Sequence, residues 1–237
     1  MDINCDLGEG ISGEEAIMSL VDSCSIACGG HYGDADSMIK TLTLAQKFGV
    51  KAGAHPSYID PINFGRKVMD ISPVRLKQQI MEQISTLDQL SKSIGLTLHH
   101  VKAHGALYNE AARNKTIGNV LIDSVVSFGR DLCIFVPYAS NLHQLAIDRN
   151  VKHWIEVFAD RNYRENYELI SRGHENAVIL EPLKVKNRVR MMVQERQVKL
   201  ENGQGLPIEF DTICVHGDHP KAFEIVKGLN ALKQESS

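Results

Sequence analysis

Side chains able to move protons, hold cations or bind anions recur in this sequence where apolar runs stop. Asp6 with Glu9, His31 with Asp34, His55, His104 with Tyr108 and Asn109, Asp160 with Arg161, and His216 with Asp218 each follow such a run. Imidazoles and carboxylates are the usual general acids and bases near neutral pH. Asp6, His31, His55 and His104 would also suit a mixed nitrogen and oxygen set for zinc or another divalent ion. Their spacing carries no metal signature, so convergence depends on the fold.

Other motifs carry less. Gly8-Glu9-Gly10-Ile11-Ser12-Gly13 matches a dinucleotide-binding glycine pattern, but Glu9, Glu14 and Glu15 would set carboxylates against a pyrophosphate. No G-x-x-x-x-G-K-[ST] loop and no G-x-S-x-G elbow is present. Lys184, Lys186, Arg188 and Arg190 form the one basic stretch and read as a solvated helix face. Cys5, Cys24, Cys28, Cys133 and Cys214 show no C-x-x-C pair and read as reduced core thiols of a cytoplasmic protein.

The elements that must position these residues are short β-like runs alternating with helices. Strands are expected near 2–7, 25–29, 50–54, 97–104, 132–136, 154–159 and 212–216. A helix is expected from Ala35 to Phe48, with Gly49 as its stop. Another is expected from Pro73 to Ile94, where Leu76, Ile80, Ile84, Leu87 and Leu90 recur at helical spacing after a Ser72 cap. Residues two apart on a strand share a face. Asp2, Asn4 and Asp6 therefore oppose Ile3, Cys5 and Leu7. His100, Lys102 and His104 oppose His99, Val101 and Ala103, and Cys214, His216 and Asp218 oppose Ile213 and Val215. An open sheet covered by helices on both faces would bury this polarity badly, so a closed parallel β/α barrel is expected, its polar residues gathered at the C-terminal mouth. Lys102 would point inward and find Asp6 or Asp160. Gln197 to Phe210 reads as a small hairpin around Asn202-Gly203, and residues 1–237 read as a single domain. The chain has 237 residues, 43% hydrophobic, and a net charge of -3, from which no general attraction to nucleic acid or membrane follows. Met1-Asp2-Ile3-Asn4 opens without a basic or apolar leader pattern, and no secretory signal or membrane span is expected.

Seven ordered blocks carry a resemblance. They are Asn4-Cys5-Asp6-Leu7-Gly8-Glu9; Ile26-Ala27-Cys28-Gly29 with His31 and Gly33-Asp34; Gly53-Ala54-His55-Pro56; Phe64-Gly65-Arg66; Val101-Lys102 with His104-Gly105-Ala106-Leu107-Tyr108-Asn109; Phe158-Ala159-Asp160-Arg161; and Cys214-Val215-His216-Gly217-Asp218. Together they resemble the LamB/YcsF family, with departures at Gly30, Tyr32, Ser57, Ile59, Ala103, His219 and Lys221 that surround the polar residues without removing them. The resemblance implies a seven-stranded β/α barrel similar to the glycoside hydrolase/deacetylase superfamily. It implies ATP-dependent opening of the 5-oxoproline lactam, or a related one, to L-glutamate together with two other subunits, with ATP as cosubstrate of the complex. On that reading Asp6, His55, Lys102, His104 and Asp160 are the catalytic candidates. Lys102 would neutralise charge on the lactam oxygen or a phosphate. Asn4, His31, Arg66, Asn109, Arg161, His216 and Asp218 are the substrate-binding candidates, with Arg66 or Arg161 clamping the carboxylate. Two alternatives stay open: a metal-dependent hydrolase or deacetylase on the same barrel, and a lactam-binding subunit whose chemistry occurs on its partners.

Overall fold

The computed structural model describes residues 1–128 and 132–235. The strands are β1 (Asp2–Leu7), β2 (Ser23–Ala27), β3 (Lys51–His55), β4 (His100–Val101), β5 (Cys133–Pro137), β6 (His153–Phe158), β7 (Gln197–Lys199), β8 (Gly205–Pro207) and β9 (Thr212–Val215). All but β7 and β8 form one closed parallel barrel, in which β9 lies between β6 and β1. Closure follows from the alternation along β1. Ile3, Cys5 and Leu7 are buried among the apolar core residues, while Asn4 and Asp6 enter the polar interior.

The helices are α1 (Glu14–Met18), α2 (Ala35–Phe48), α3 (Pro73–Ser93), α4 (Gly105–Arg113), α5 (Lys115–Ser127), α6 (Asn141–Asp148), α7 (Pro182–Glu195) and α8 (Ala222–Glu235). In α3 the expected stripe is the buried one: Leu76, Ile80, Ile84 and Leu87 are fully covered, each worth about 1.5–3 kcal/mol. The Ser72 hydroxyl accepts from the Arg75 amide. Asp34, grouped with His31 in the sequence, is instead the N-cap of α2, where its carboxylate accepts from the Ser37 amide. No helix among the described residues is long and apolar enough to cross a membrane.

The expected strand over 97–104 is shorter, with only His100–Val101 paired on both sides. The run stays extended along β3, since the Lys102 amide donates to Ala54 O at 2.9 Å and the His104 amide to Pro56 O at 2.8 Å. His100 lies inside the barrel, stacked on Phe135 with ring centroids 3.9 Å apart. A side chain at residue 53 would collide with that imidazole, so Gly53 makes room for it. His104, still extended, is the N-cap of α4.

The hairpin β7–β8 turns through Asn202 and Gly203, with Gly203 at φ 83°. The basic stretch on α7 is not a uniformly solvated face. Lys184 is exposed, but the Arg188 guanidinium turns in to donate to Lys199 O at 2.9 Å and Arg161 O at 3.1 Å, tying the hairpin to the loop after β6. All five cysteines are buried.

Candidate active site

The floor of the site is a buried charge cluster. Lys102, 1% exposed, donates to Asp6 at 2.8 Å, Glu156 at 2.9 Å and Cys214 Sγ at 3.0 Å, with Asn4 Oδ1 at 3.4 Å. An ammonium has three hydrogens, and these partners occupy them. The expected inward lysine is therefore present, but its partners are Asp6 and Glu156, and Asp160 is engaged elsewhere. Burial opposes the charged form of Lys102, yet Asp6, Cys214 and Glu156 raise it well above its usual value. Burial likewise opposes ionisation of Asp6, but Lys102 and His216 outweigh it and hold the carboxyl below its usual range. Burial raises Glu156. Asn4 donates to Glu156 at 3.0 Å and Thr212 at 2.8 Å. It is fully buried and does not line the cavity, so it braces the floor and is out of reach as a substrate contact.

Above the floor, His55, His104 and Glu9 meet. His55 Nδ1 lies 2.8 Å from Lys102 O, and His104 Nε2 lies 3.0 Å from Phe64 O. A carbonyl only accepts, so both of these nitrogens carry hydrogen. The remaining nitrogens, His55 Nε2 and His104 Nδ1, are then lone pairs facing each other at 3.0 Å. Glu9 Oε1 stands 3.4 Å from the second and 3.9 Å from the first. Burial and, for His55, the Lys102 charge lower both imidazoles well below their usual range; for His104 the second cause is His55. Two neutral imidazoles in this arrangement repel unless a cation sits between them. The three donor atoms lie within 4.8 Å of one another, and backbone carbonyls anchor the outer nitrogens in the manner common for metal-binding histidines. These residues fit a divalent cation on an N₂O set.

The metal set expected from the sequence, Asp6, His31, His55 and His104, keeps His55 and His104, loses Asp6 and His31, and gains Glu9. His31 Nε2 bonds Glu9 Oε1 at 2.9 Å, its ring stacks on His104 at 3.7 Å, and its Nδ1 is buried without a partner. It holds Glu9 in place. Asp6 uses one oxygen on Lys102 and leaves the other 3.5 Å from His55 Nε2. Glu9 reaches inward because Gly8 and Gly10 both sit at φ 74°, a conformation natural to glycine, which folds the β1 loop back over the barrel. The carboxylate that argued against a pyrophosphate cradle is itself part of the site.

On the opposite wall, Asp160 is fully buried and holds His216 Nδ1 at 3.0 Å from both carboxylate oxygens, while also accepting from the His216 amide. Burial opposes the Asp160 charge, but His216, His219 and Arg161 outweigh it and keep the carboxyl well below its usual range. His216 stacks on Phe158 and lines the cavity, so Asp160 positions the ring with Nε2 left for a ligand. Arg161 is 5% exposed, with Nε donating to Ala177 O and one terminal nitrogen to Ile170 O. The other terminal nitrogen has no partner among the described residues. At the outer rim Asp218 accepts from both Arg66 and Arg172.

A cavity of about 880 Å³ joins these groups. Asp6, His55, Arg66, Lys102, His104, Asn109, Arg161 and His216 line it, while His31 and Asp160 stand behind the lining and Asp218 bridges arginines at the rim. Asn109 is exposed on α4 and bonds its own helix at Gly105 O. Glu156 and Arg172 were missed from the sequence. Glu156 shares the inward face of β6 with Phe158 by two-residue alternation, a readable signal, whereas Arg172 lies in an irregular loop that carries no periodicity.

Comparison with known proteins places the chain in a family. The LamB/YcsF family matches residues 1–237. A Pyrococcus horikoshii protein named as a 5-oxoprolinase subunit is 37% identical over 99% of this chain and 94% of its own length. One of the same name from Limosilactobacillus fermentum is 37% identical over 97% and 93%. The crystal structure of a lactam utilization protein from Thermus thermophilus superposes with a TM-score of 0.93 at 31% identity, covering 100% of this chain and 97% of that one. A structure from Enterococcus faecalis, 12% identical with a TM-score of 0.56, shares the fold alone. With a family match over its whole length and relatives of this similarity, the chain belongs to the LamB/YcsF family.

Proposed function

We propose that this chain is the A component of a cytoplasmic, ATP-dependent 5-oxoprolinase, opening the 5-oxoproline lactam to L-glutamate with two partner subunits. The observation that carries the reading is the convergence, in one cavity, of a positioned imidazole, an ionised carboxylate and a buried guanidinium with an open donor. A lactam bearing a carboxylate needs these three things. Arg161 receives the substrate carboxylate through its free terminal nitrogen. Asp6, kept ionised by Lys102, takes the proton of the attacking water on its second oxygen. His216, oriented by Asp160, supplies a proton from Nε2 to the ring nitrogen as the carbon–nitrogen bond breaks. Ring opening consumes one water and forms one amine and one carboxylate, and the coupled cleavage of ATP by the complex consumes a second water and forms ADP and inorganic phosphate. Lys102 serves by holding Asp6, since its own hydrogens are committed. Glu9, His55 and His104 would hold a divalent cation, which supplies polarisation of a carbonyl oxygen when bound. Asn109 and Arg66 edge the substrate side of the cavity.

The test is reconstitution with both partners, measuring ATP-dependent glutamate formation. Full glutamate formation by the partners without this chain would refute the reading. The Glu9–His55–His104 trio favours a second reading, a metal-dependent hydrolase or deacetylase that works without ATP. It predicts turnover by the isolated chain with metal alone.

A further inference from the structure

Two buried polar atoms at the barrel floor remain unclaimed by Asp6, Lys102 and Asn4. Glu156 spends Oε1 on the Lys102 ammonium at 2.9 Å and on the Asn4 amide at 3.0 Å, whereas its Oε2 is buried with no close partner. The Tyr108 hydroxyl is likewise buried with no close partner, although its residue lines the cavity. These two atoms lie beside each other. Burial and then the Glu156 charge raise the Tyr108 hydroxyl well above its usual range, while burial raises Glu156 against the opposing pull of Lys102 and, more weakly, of the Tyr108 hydroxyl. A phenol that keeps its hydrogen is a donor, and a carboxylate oxygen is an acceptor. Leaving either one alone in a desolvated floor is costly. Tyr108 reaches this place because it stands one helical turn after His104 on α4. Its ring packs edge-on against Phe158 with centroids 5.6 Å apart, and Phe158 is the residue two beyond Glu156 on the inward face of β6.

We propose that Tyr108 is a positioning residue whose hydroxyl donates to Glu156 Oε2, keeping Oε1 on the Lys102 ammonium and the ammonium on Asp6. A carboxylate free to rotate offers Lys102 either oxygen and so more than one place to sit. With Oε2 claimed, Glu156 has one orientation, and Lys102 has one position from which it meets Asp6, Glu156 and Cys214. Asp6 then keeps its second oxygen for the attacking water. Tyr108 does not touch the lactam, since its hydroxyl lies beneath the cavity surface. Its effect on rate rests on the lactam reading, because it runs through Asp6, but its hold on Lys102 does not.

Tyr108→Phe keeps the ring and deletes the donor. In the reconstituted complex, kcat for ATP-dependent glutamate formation is expected to fall about tenfold, the scale of one hydrogen bond to a charged group, with the KM for 5-oxoproline within about twofold of the parent. In a Glu156→Gln background the same change should cost less than about twofold more, because the carboxylate it acts through is gone. A second readout needs no turnover: in the full chain labelled with nitrogen-15 at lysine, the Lys102 ammonium signal is sharp while its hydrogens are held, and it should broaden in Tyr108→Phe. An unchanged signal overturns the proposal in every case. Where the complex turns over, a parent-like kcat in Tyr108→Phe also overturns it, as does an equal loss of rate with and without Glu156→Gln. A Tyr108→Phe chain that melts far below the parent overturns it too, because the hydroxyl would then hold the fold at large. A complex of the parent chain that forms no glutamate removes the lactam reading, and broadening of the Lys102 signal would still uphold the hold of Tyr108 on the floor.

Discussion

Lys102 and Arg172 are both cations beside carboxylates, yet they work under opposite conditions. Lys102 is buried at the centre of the barrel with its hydrogens spent on Asp6, Glu156 and Cys214. Arg172 sits at the rim, its side chain 31% exposed, sharing Asp218 with Arg66. An interior charge cannot leave its partners without leaving them desolvated, whereas a rim charge exchanges one partner for another at little cost. The barrel floor therefore sets the ionisation and position of groups such as Asp6, and the rim is free to meet ligands.

The sharpest way to break this contrast is Lys102→Met. Removing the ammonium leaves Asp6 and Glu156 buried without their shared counter-charge, and a loss of about 3–5 kcal/mol is expected in denaturant unfolding. Adding Glu156→Gln to that variant should recover part of the loss, because one of the two carboxylates is then neutral. A Lys102→Met melt matching the parent would show that the floor is not held by this cluster.

Asp160 tests the next level, where a buried carboxylate positions an imidazole that reaches into the cavity. Asp160→Asn should lower the rate of the reconstituted enzyme about a hundredfold or more, the scale of a lost general acid, with the substrate KM changed far less. Its pH signature follows from the depressed carboxyl. A group whose folded-state pKa lies below its unfolded value of about 4 stabilises the fold above that pH, and the contribution is lost as pH falls through and below it. The parent should thus lose stability on acidification more steeply than Asp160→Asn. Parallel acid unfolding curves would contradict the pairing with His216.

A smaller effect is expected from the ring that holds Glu9. His31→Ala frees the Glu9 carboxylate and should weaken divalent-cation binding about 10–100-fold, the range for groups that orient metal ligands. His31→Gln, which can still donate to Glu9, should restore much of it. Calorimetric titration with zinc and manganese measures both, and equal affinities in parent and His31→Ala chains would remove Glu9 from the cation set.

How well these roles can be read in the sequence depends on regularity. Period-two alternation along β1 and β9 exposed Asn4, Asp6 and Cys214 as interior residues and made a barrel the better expectation than an open sheet. The helical stripe in α3 was equally plain. Alternation also extends to Glu156 on β6, but its aromatic and apolar neighbours masked it. Loop residues obey no such period. Glu9 depends on two positive-φ glycines, His31 on contact with Glu9, and the Arg66–Asp218–Arg172 contact on three loops meeting across the mouth. Such convergence is a property of the closed barrel and is absent from any local window of sequence.

The rim supplies the smallest change in stability and the cleanest check on the contrast. Arg66→Gln and Arg172→Gln each remove an ion pair to Asp218 whose arginine side chain is 39% and 31% exposed respectively. Each should cost less than about 1 kcal/mol, because water solvates whichever group is left behind. Burial opposes the Asp218 charge, while Arg172, His216 and Arg66 together hold its carboxyl below the usual range. The double variant should therefore raise the Asp218 pKa, visible as a shift of its carboxyl titration by NMR, even as the melt barely moves. A double variant that unfolds several kcal/mol more easily would mean that the rim is a structural clasp like the floor, and the division between a fixed interior and an exchangeable mouth would have to be given up.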